Sequence, residues 1–406
     1  MAVLLTITSY PPAIGGAQLH THAFARELAA SEPVGVMYHW NTNRVDWLLG
    51  TTLHAPTRPA DDAPVVTYDG IPTHQLILPP ESRAALRSWV HLYRVLQSQA
   101  IDHISAAILR EMEAHIAALM PAPPTIVHNV RVGREGLTFA AQKFARRRDI
   151  PFVLTTNHHH TWRGWFYRDY LRAYRAADAV IAHTEYERRE LARLGVDETR
   201  LHVLGVGPIL APTADGADFR ARMGIAPDAP LLLYLGQKYA YKRFDLLARA
   251  METVWAKVPN AVALFIGPRT PYSRQFFARL HDPRIIEIDI VDLQTKTNAL
   301  AACDVLVMPS AKESFGGVYV EAWTLGKPVI GGDAPALSEI IREGESGFTV
   351  GADADLLAAR LLTLIGDPAL REAMGRAGQA FARQYTWDRL GAQLKAIYDR
   401  VRGSSA

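Results

Sequence analysis

Short apolar runs alternate with longer helical stretches along most of the chain. This is the pattern of strands buried on both faces of a parallel sheet and joined by helices. In the first half, strand-like runs fall at 3–8, 34–38, 73–78, 125–128, 151–155, 179–183 and 201–204. Helices are expected there at 17–30, 84–119, 136–148, 165–176 and 185–194. Residues 41–71 are rich in Pro, Thr and Asp without a clear period, and read as a long loop with limited order. Gly205-Val206-Gly207-Pro208 closes this series, and an Ala/Pro/Asp/Gly-rich connection with a short helix runs on to residue 230. A second series then begins, with strands expected at 231–235, 261–266, 285–288, 305–308, 328–330 and 347–350. The pattern predicts an α/β protein of two doubly wound, parallel-sheet domains, residues 1–208 and 209–385, followed by a last amphipathic helix within 386–406.

Bulk properties narrow this picture further. At 406 residues, two domains are the natural expectation. A net charge of +3 is too small to imply a nucleic-acid partner. One basic stretch stands out: residues 131–175 carry ten Lys/Arg against three Asp/Glu, interleaved with Trp162, Trp165, Phe166, Tyr167, Tyr170 and Tyr174. It reads either as a solvated helix face over core aromatics or as a surface for an anionic acceptor or an anionic membrane. The single Cys303 excludes an internal disulfide and suits a reducing compartment. The apolar N-terminus has no basic n-region and no cleavage site, so it reads as the first core strand. No run is long enough to span a membrane. The expected location is cytoplasmic, with peripheral contact at the inner membrane face left open.

The most informative chemistry is Glu313-Ser-Phe-Gly-Gly-Val-Tyr-Val-Glu321. It follows the expected strand 305–308 and opens a helix, with Gly316 and Gly317 at the helix entrance. Backbone N–H groups there lack intrahelical partners and the helix dipole is positive, so the spot favours a phosphate. A carboxylate before the anion site and another beyond it suit the two ends of a nucleotide sugar: Glu313 for sugar hydroxyls, Glu321 for ribose hydroxyls.

Three further loops leave the C-terminal ends of expected strands. Gly15-Gly16 can bring backbone close to a ligand at a helix start, and reads equally well as a plain Gly-Gly turn. Gly236 ends a strand, and Lys238, Lys242 and Arg243 cluster before the next helix, where cations suit a diphosphate; an ordinary basic loop is the alternative. His158-His159-His160 follow another strand and are poorly spaced for a metal, but one of them can act as base, orienter or hydrogen-bond partner. Asp353-Ala354-Asp355 resembles a metal-diphosphate motif, yet its place before a helix favours capping. No metal and no cofactor are therefore expected.

Taken in order, these segments resemble the retaining glycosyltransferases of family 4, of GT-B architecture. The resemblance covers nearly the whole length. ESFGGVYVEAWTLGKPVI looks like the family's paired-glutamate motif, YLG…YKRFDLLARA like its diphosphate-binding lysine loop, YPPAIGGAQ like its N-terminal glycine loop, and PFVLTTNHHHTW like the segment that brings a His to the reaction centre. The resemblance implies two Rossmann-like domains facing across a cleft, acceptor on the first and donor on the second, with the C-terminal helix crossing back to the first. It implies a nucleotide diphosphate sugar as donor substrate, a hydroxyl acceptor, and a place in cell-envelope polysaccharide or glycoconjugate synthesis. Glu313 and His158 or His159 would be catalytic. Gly15, Gly16, Gly236, Lys238, Lys242, Arg243, Phe315, Gly316, Gly317, Val318 and Glu321 would bind the donor. The chain departs from the family in having Gln237 where an Arg is common, so Lys238 or Arg243 would partner Lys242. An epimerase or phosphorylase on the same fold, or a non-catalytic nucleotide-sugar-binding protein, are the alternatives.

Overall fold

The computed structural model describes residues 1–13, 15–41, 65–131, 136–159, 162 and 164–403. They fall into two compact units, residues 1–205 with 387–406 and residues 206–386. The first is built on an eight-stranded sheet: β1 (Val3–Ser9), β2 (Val34–Trp40), β3 (Val66–Tyr68), β4 (Ile71–Gln75), β5 (Ile126–Val130), β6 (Phe152–Thr155), β7 (Ala179–Ala182) and β8 (Leu201–Val203). Their spatial order is β3-β4-β2-β1-β5-β6-β7-β8. Every pair is parallel except β3 with β4. Central β1 is buried along its whole length: Val3, Leu4, Leu5 and Ile7 supply apolar surface, and buried Thr6 donates its hydroxyl to Asn129 Oδ1 at 2.8 Å. Its Ile7 lies opposite Tyr38 of β2 and Val130 of β5, so the loops after these strands leave one edge of the sheet.

The second unit has six parallel strands: β9 (Leu231–Leu235), β10 (Val262–Ile266), β11 (Ile285–Ile288), β12 (Val305–Met308), β13 (Val329–Gly331) and β14 (Gly347–Thr349). Their order is β11-β10-β9-β12-β13-β14. Ile266 pairs with Leu235 and with Ile288, and Met308 with Gly331, which aligns the loops after these strands along one edge. Ligands bind at such an edge in open α/β sheets.

The C-terminal helix Trp387–Gly403 belongs to the first unit. Trp387 packs against His20 and edge-on to Phe24, Tyr398 OH meets His128 Nδ1 at 2.7 Å, and Arg402 pairs with Glu32 at 2.8 Å.

Two expectations need correction. The helix expected over 84–119 is three pieces, Pro80–His91, Tyr93–Leu96 and Ser98–Leu119. Of the two interruptions, at Leu92 and Gln97, the sharper break falls at Gln97, whose φ is +36°, and Ser98 Oγ donates to Asp169 Oδ1 at 2.6 Å. The apolar period continues through the break because Leu86, Val90, Tyr93, Ile101 and Ile104 all enter one core. The stretch 41–71, read as loop, contains β3 and a two-residue turn at Asp69-Gly70, both with positive φ. Asp-Gly is a hairpin signal, but β3 has three residues and is mostly exposed, so no alternation announced it. Residues 42–64 lie outside the described residues, as do Ile14 and His160.

Candidate functional site

In the second unit, the loop after β12 runs into helix Gly317–Thr324 through Gly316, whose φ of 83° and ψ of 63° are left-handed. A Cβ on Gly316 would sit 2.4 Å from the Tyr319 ring, so both conformation and space demand glycine there. Tyr319 is fixed in turn by its OH, which donates to the Met308 carbonyl at 2.7 Å. No side chain caps this helix. Among the described helices of this unit longer than four residues, only this one and Phe244–Trp255 lack a side-chain cap. The others are capped by Asp215, Thr270, Asp292, Asp353 and Asp367. Two helix N-termini at the ligand edge therefore keep donors that elsewhere are satisfied internally.

The Phe244–Trp255 helix begins beside the basic loop. Phe244 is fully buried against Tyr234, Phe276 and Phe277, which anchors the helix start. Arg243, at φ 52°, precedes it and pairs with Asp333 at 2.6 Å, just beyond β13. Lys242 closes a short 3₁₀ turn, and its Nζ meets Glu313 Oε1 at 2.5 Å. The Ala311 N–H donates to the Tyr241 carbonyl at 2.9 Å, tying the loop after β9 to the loop after β12. The structure thus joins the expected phosphate cation and the expected sugar carboxylate as one ion pair, 16% and 11% exposed.

Lys238 is placed differently from its expectation as a donor-facing cation. Its side chain is fully buried, and Nζ donates to the carbonyls of Gly267 and Ile288 and to Glu287, at 2.6, 2.6 and 2.5 Å. Burial lowers its pKa, opposed by the Glu287 carboxylate. Lys238 is a strut between β9, β10 and β11, which leaves Lys242 and Arg243 as the loop's accessible cations. The Phe315 ring is likewise spent in the core, edge-on to Tyr385. What this residue offers a ligand is backbone. Val318 is half-buried in the first turn of its helix, and Gly236 follows β9 directly.

Glu321 lies midway along Gly317–Thr324 and is 6% exposed. Its Oε1 accepts from the Ile209 N–H at 3.2 Å and from Lys296 Nζ at 2.8 Å. Neither Lys296 nor Asp333 was singled out from sequence. Asp333 directly follows a Gly-Gly at a strand end, a usable signal. Lys296 is one cation on an ordinary helix, and only the fold brings it to Glu321.

In the first unit, Gly15 caps helix Gly16–Ala29 with extended backbone, φ 178°, so its conformation is open to any residue. Space is what it provides: a Cβ would fall 2.4 Å from Gln18 Oε1, while Gln18 Nε2 donates to Ser9 Oγ at 2.7 Å. Gly16 has no comparable restriction. Beyond β6, His158 is 4% exposed, with Tyr174 OH 3.3 Å from Nδ1, and half-buried His159 lies edge-on to Trp162. His159 is therefore the more accessible of the two. Glu187, unnoticed in the sequence, holds this region: it accepts from Thr156 Oγ1 and the N–H groups of His158 and His183 at 2.5, 2.6 and 2.7 Å. In the basic stretch, Trp165 and Phe166 are exposed, and Arg168 stacks on Trp165.

Asp353 Oδ1 accepts from the N–H groups of Asp355 and Leu356, the capping arrangement its position favours. Cys303 is buried and its thiol is pushed up to about 12, a structural residue. Among the described residues no helix is long and apolar enough to cross a membrane.

Residues 15–207 match the model of the Glycosyl transferase 4-like domain, and residues 216–381 that of Glycosyl transferases group 1. A D-inositol 3-phosphate glycosyltransferase of Xylanimonas cellulosilytica is 29% identical over 237 residues, 55% of this chain and 57% of the relative. The chain thus spans a little over half the length of the curated relatives it matches. In fold it is similar to sucrose-phosphate synthase from Thermosynechococcus elongatus, with a TM-score of 0.73 at 17% identity and full coverage of both chains. It is also similar to HepE of Anabaena in complex with UDP and glucose, with a TM-score of 0.71 at 18% identity over 98% of this chain and 99% of that one.

Proposed function

Because the chain belongs to the group 1 glycosyltransferases, with a 4-like first domain and the GT-B fold, we propose that it moves a sugar from a nucleotide diphosphate sugar to a hydroxyl acceptor, with retention at the anomeric carbon. The observation that carries this reading is the second unit's pair of uncapped helix N-termini beside Lys242 and Arg243. Negative charge grows on the diphosphate as the sugar leaves, and fixed donors aimed there lower the barrier. We assign the donor to the second unit and the acceptor to the first, where His159 is the more accessible histidine.

Three side-chain carboxylates at this edge are matched to cations: Glu313 to Lys242, Glu321 to Lys296, Asp333 to Arg243. That argues against a covalent carboxylate intermediate and for a front-face route. The bond from the anomeric carbon to the diphosphate oxygen breaks, its electron pair staying on phosphate. The acceptor oxygen bonds from the same face, and its proton passes to the leaving phosphate. Charge is balanced by Lys242, Arg243 and backbone dipoles, so no metal is invoked. Activity is expected to persist in excess chelator; complete loss, restored by a divalent cation, would overturn this part.

UDP is the first nucleotide to test, since the Anabaena neighbour carries it. A phosphorylated cyclitol is the first acceptor, after the relative's name. A thermal-shift screen over UDP, ADP, GDP and their sugars should find one stabilising base, followed by transfer to an added hydroxyl acceptor. Sugar isomerisation or phosphate-dependent cleavage without acceptor would point to an epimerase or phosphorylase, and binding without turnover to a non-catalytic protein. Lys242→Ala should weaken binding of the preferred nucleotide diphosphate by ~1.5–3 kcal/mol, the scale of a charge-assisted contact. Unchanged affinity by calorimetry would remove Lys242 from the site. A cytoplasmic enzyme fits the lone buried thiol.

A further inference from the structure

Glu321 is a shielded carboxylate with its two oxygens in different situations. Oε1 is held by Lys296 and by the Ile209 N–H. Oε2 has no protein partner among the described residues, and it is not one of the sealed, orphaned polar atoms, so it faces solvent. Lys296 is itself only 16% exposed. Its helix, Leu293–Ala302, is fixed by contacts that do not involve Glu321. Asp292 caps it, accepting from the Thr295 N–H at 2.8 Å. Thr297 and Asn298 accept the N–H groups of Ala211 and Asp215, both at 2.9 Å. Lys296 therefore reaches Glu321 from a platform that is already set.

We propose that Lys296 is a positioning residue for nucleoside recognition, clamping Oε1 of Glu321 so that Oε2 alone is presented to ribose hydroxyls. This rests on the nucleotide-sugar reading of the site. A Glu carboxyl rotates freely about its last torsion and has four acceptor positions, so an unclamped carboxylate meets a diol in many orientations. A shielded charge without a counter-ion is also costly, and favours protonation or a collapse away from the ligand. Lys296 removes both problems: it neutralises the charge and leaves one oxygen, in one orientation, for the ligand.

The test is calorimetric binding of UDP, ADP and GDP, each beside its 2′-deoxy counterpart, to the wild type, Lys296→Met and Lys296→Arg. The wild type should prefer the ribonucleotide by about tenfold, the scale of one or two hydrogen bonds. Lys296→Met should bring the two forms toward equal affinity while holding the deoxy form within about twofold of wild type. Lys296→Arg should restore discrimination. If Lys296→Met does not fold, Lys296→Leu, which likewise has neither donor nor charge, makes the same comparison. Preserved discrimination in the neutral variant overturns the proposal. So does an equal loss of both forms, which would mark a structural role only. A wild type that binds none of the three nucleotides sinks the donor reading itself and this inference with it, a result distinct from a variant that still discriminates.

Discussion

Replacing Glu313 by Ala is expected to lower the transfer rate about 10²–10³-fold or more, the scale of losing one preorganised group at a transition state. Binding of the free nucleotide diphosphate should stay at or above the wild-type level. Both halves follow from one contact. Glu313 Oε1 meets Lys242 Nζ at 2.5 Å, at the end of the loop that enters the uncapped helix. Removing the carboxylate removes the group proposed to hold the transferred sugar, yet it frees the ammonium proposed to hold phosphate. Lys242→Ala should do the reverse and lose nucleotide affinity first. This crossed pattern distinguishes two ligand-binding groups from a salt bridge that only supports the fold, since breaking a structural pair from either side destabilises alike. Near wild-type turnover in Glu313→Ala, with native thermal stability, would remove it from the mechanism. A fall in nucleotide binding equal to that in Lys242→Ala would reduce the pair to architecture.

The second large effect is on stability. His39 and His128 are buried neutral in the first unit, and burial pulls their pKa values down from 6.5 to about 4 and about 3. His39 faces the Leu76 carbonyl at 3.1 Å, while His128 is held between Tyr398 OH and Thr155 Oγ1 at 2.7 and 2.8 Å. The folded values lie below the unfolded one, so the unfolded chain takes up protons first as pH falls. Stability is then fully present above pH 6.5 and is lost on the way down to about 4 for His39 and about 3 for His128. At 1.36 kcal/mol per unit, each histidine removes roughly 3 kcal/mol by pH 4. Urea unfolding at pH 7 and pH 4 measures this against a background of titrating carboxylates. His39→Asn and His128→Gln variants should each flatten the pH dependence by about that amount. An unaltered slope in both variants would mean that these histidines titrate alike in the folded and unfolded chains. Because His128 anchors Tyr398, acid should also loosen the C-terminal helix.

Much of this was legible from residues in order. The β9 run LLLYL is buried at every position and reads as an interior strand, and so does VLVM at β12. Gly316-Gly317 signalled a helix entrance, and the left-handed Gly316 with its uncapped helix is what that spacing led to. Asp353 had to be weighed between metal and cap, and its hydrogen bonds are those of a cap. The break at Gln97 was not legible, because both sides of it serve one core and keep one apolar period.

What the sequence determined by itself is the succession of buried strands and helices, hence which loops carry glycines, cations and carboxylates at strand ends. These follow from local periodicity and backbone rules, which act over a few residues. Only the tertiary structure decided how those charges are spent. Lys238 and Lys242 lie four positions apart in one basic loop. One is buried among carbonyls of neighbouring strands, and the other meets a glutamate 71 residues away. Lys296 and Glu321 had no mark in common until two helices came side by side. A charge's role depends on its partners and on its access to water, and both are set by packing between segments far apart in the chain.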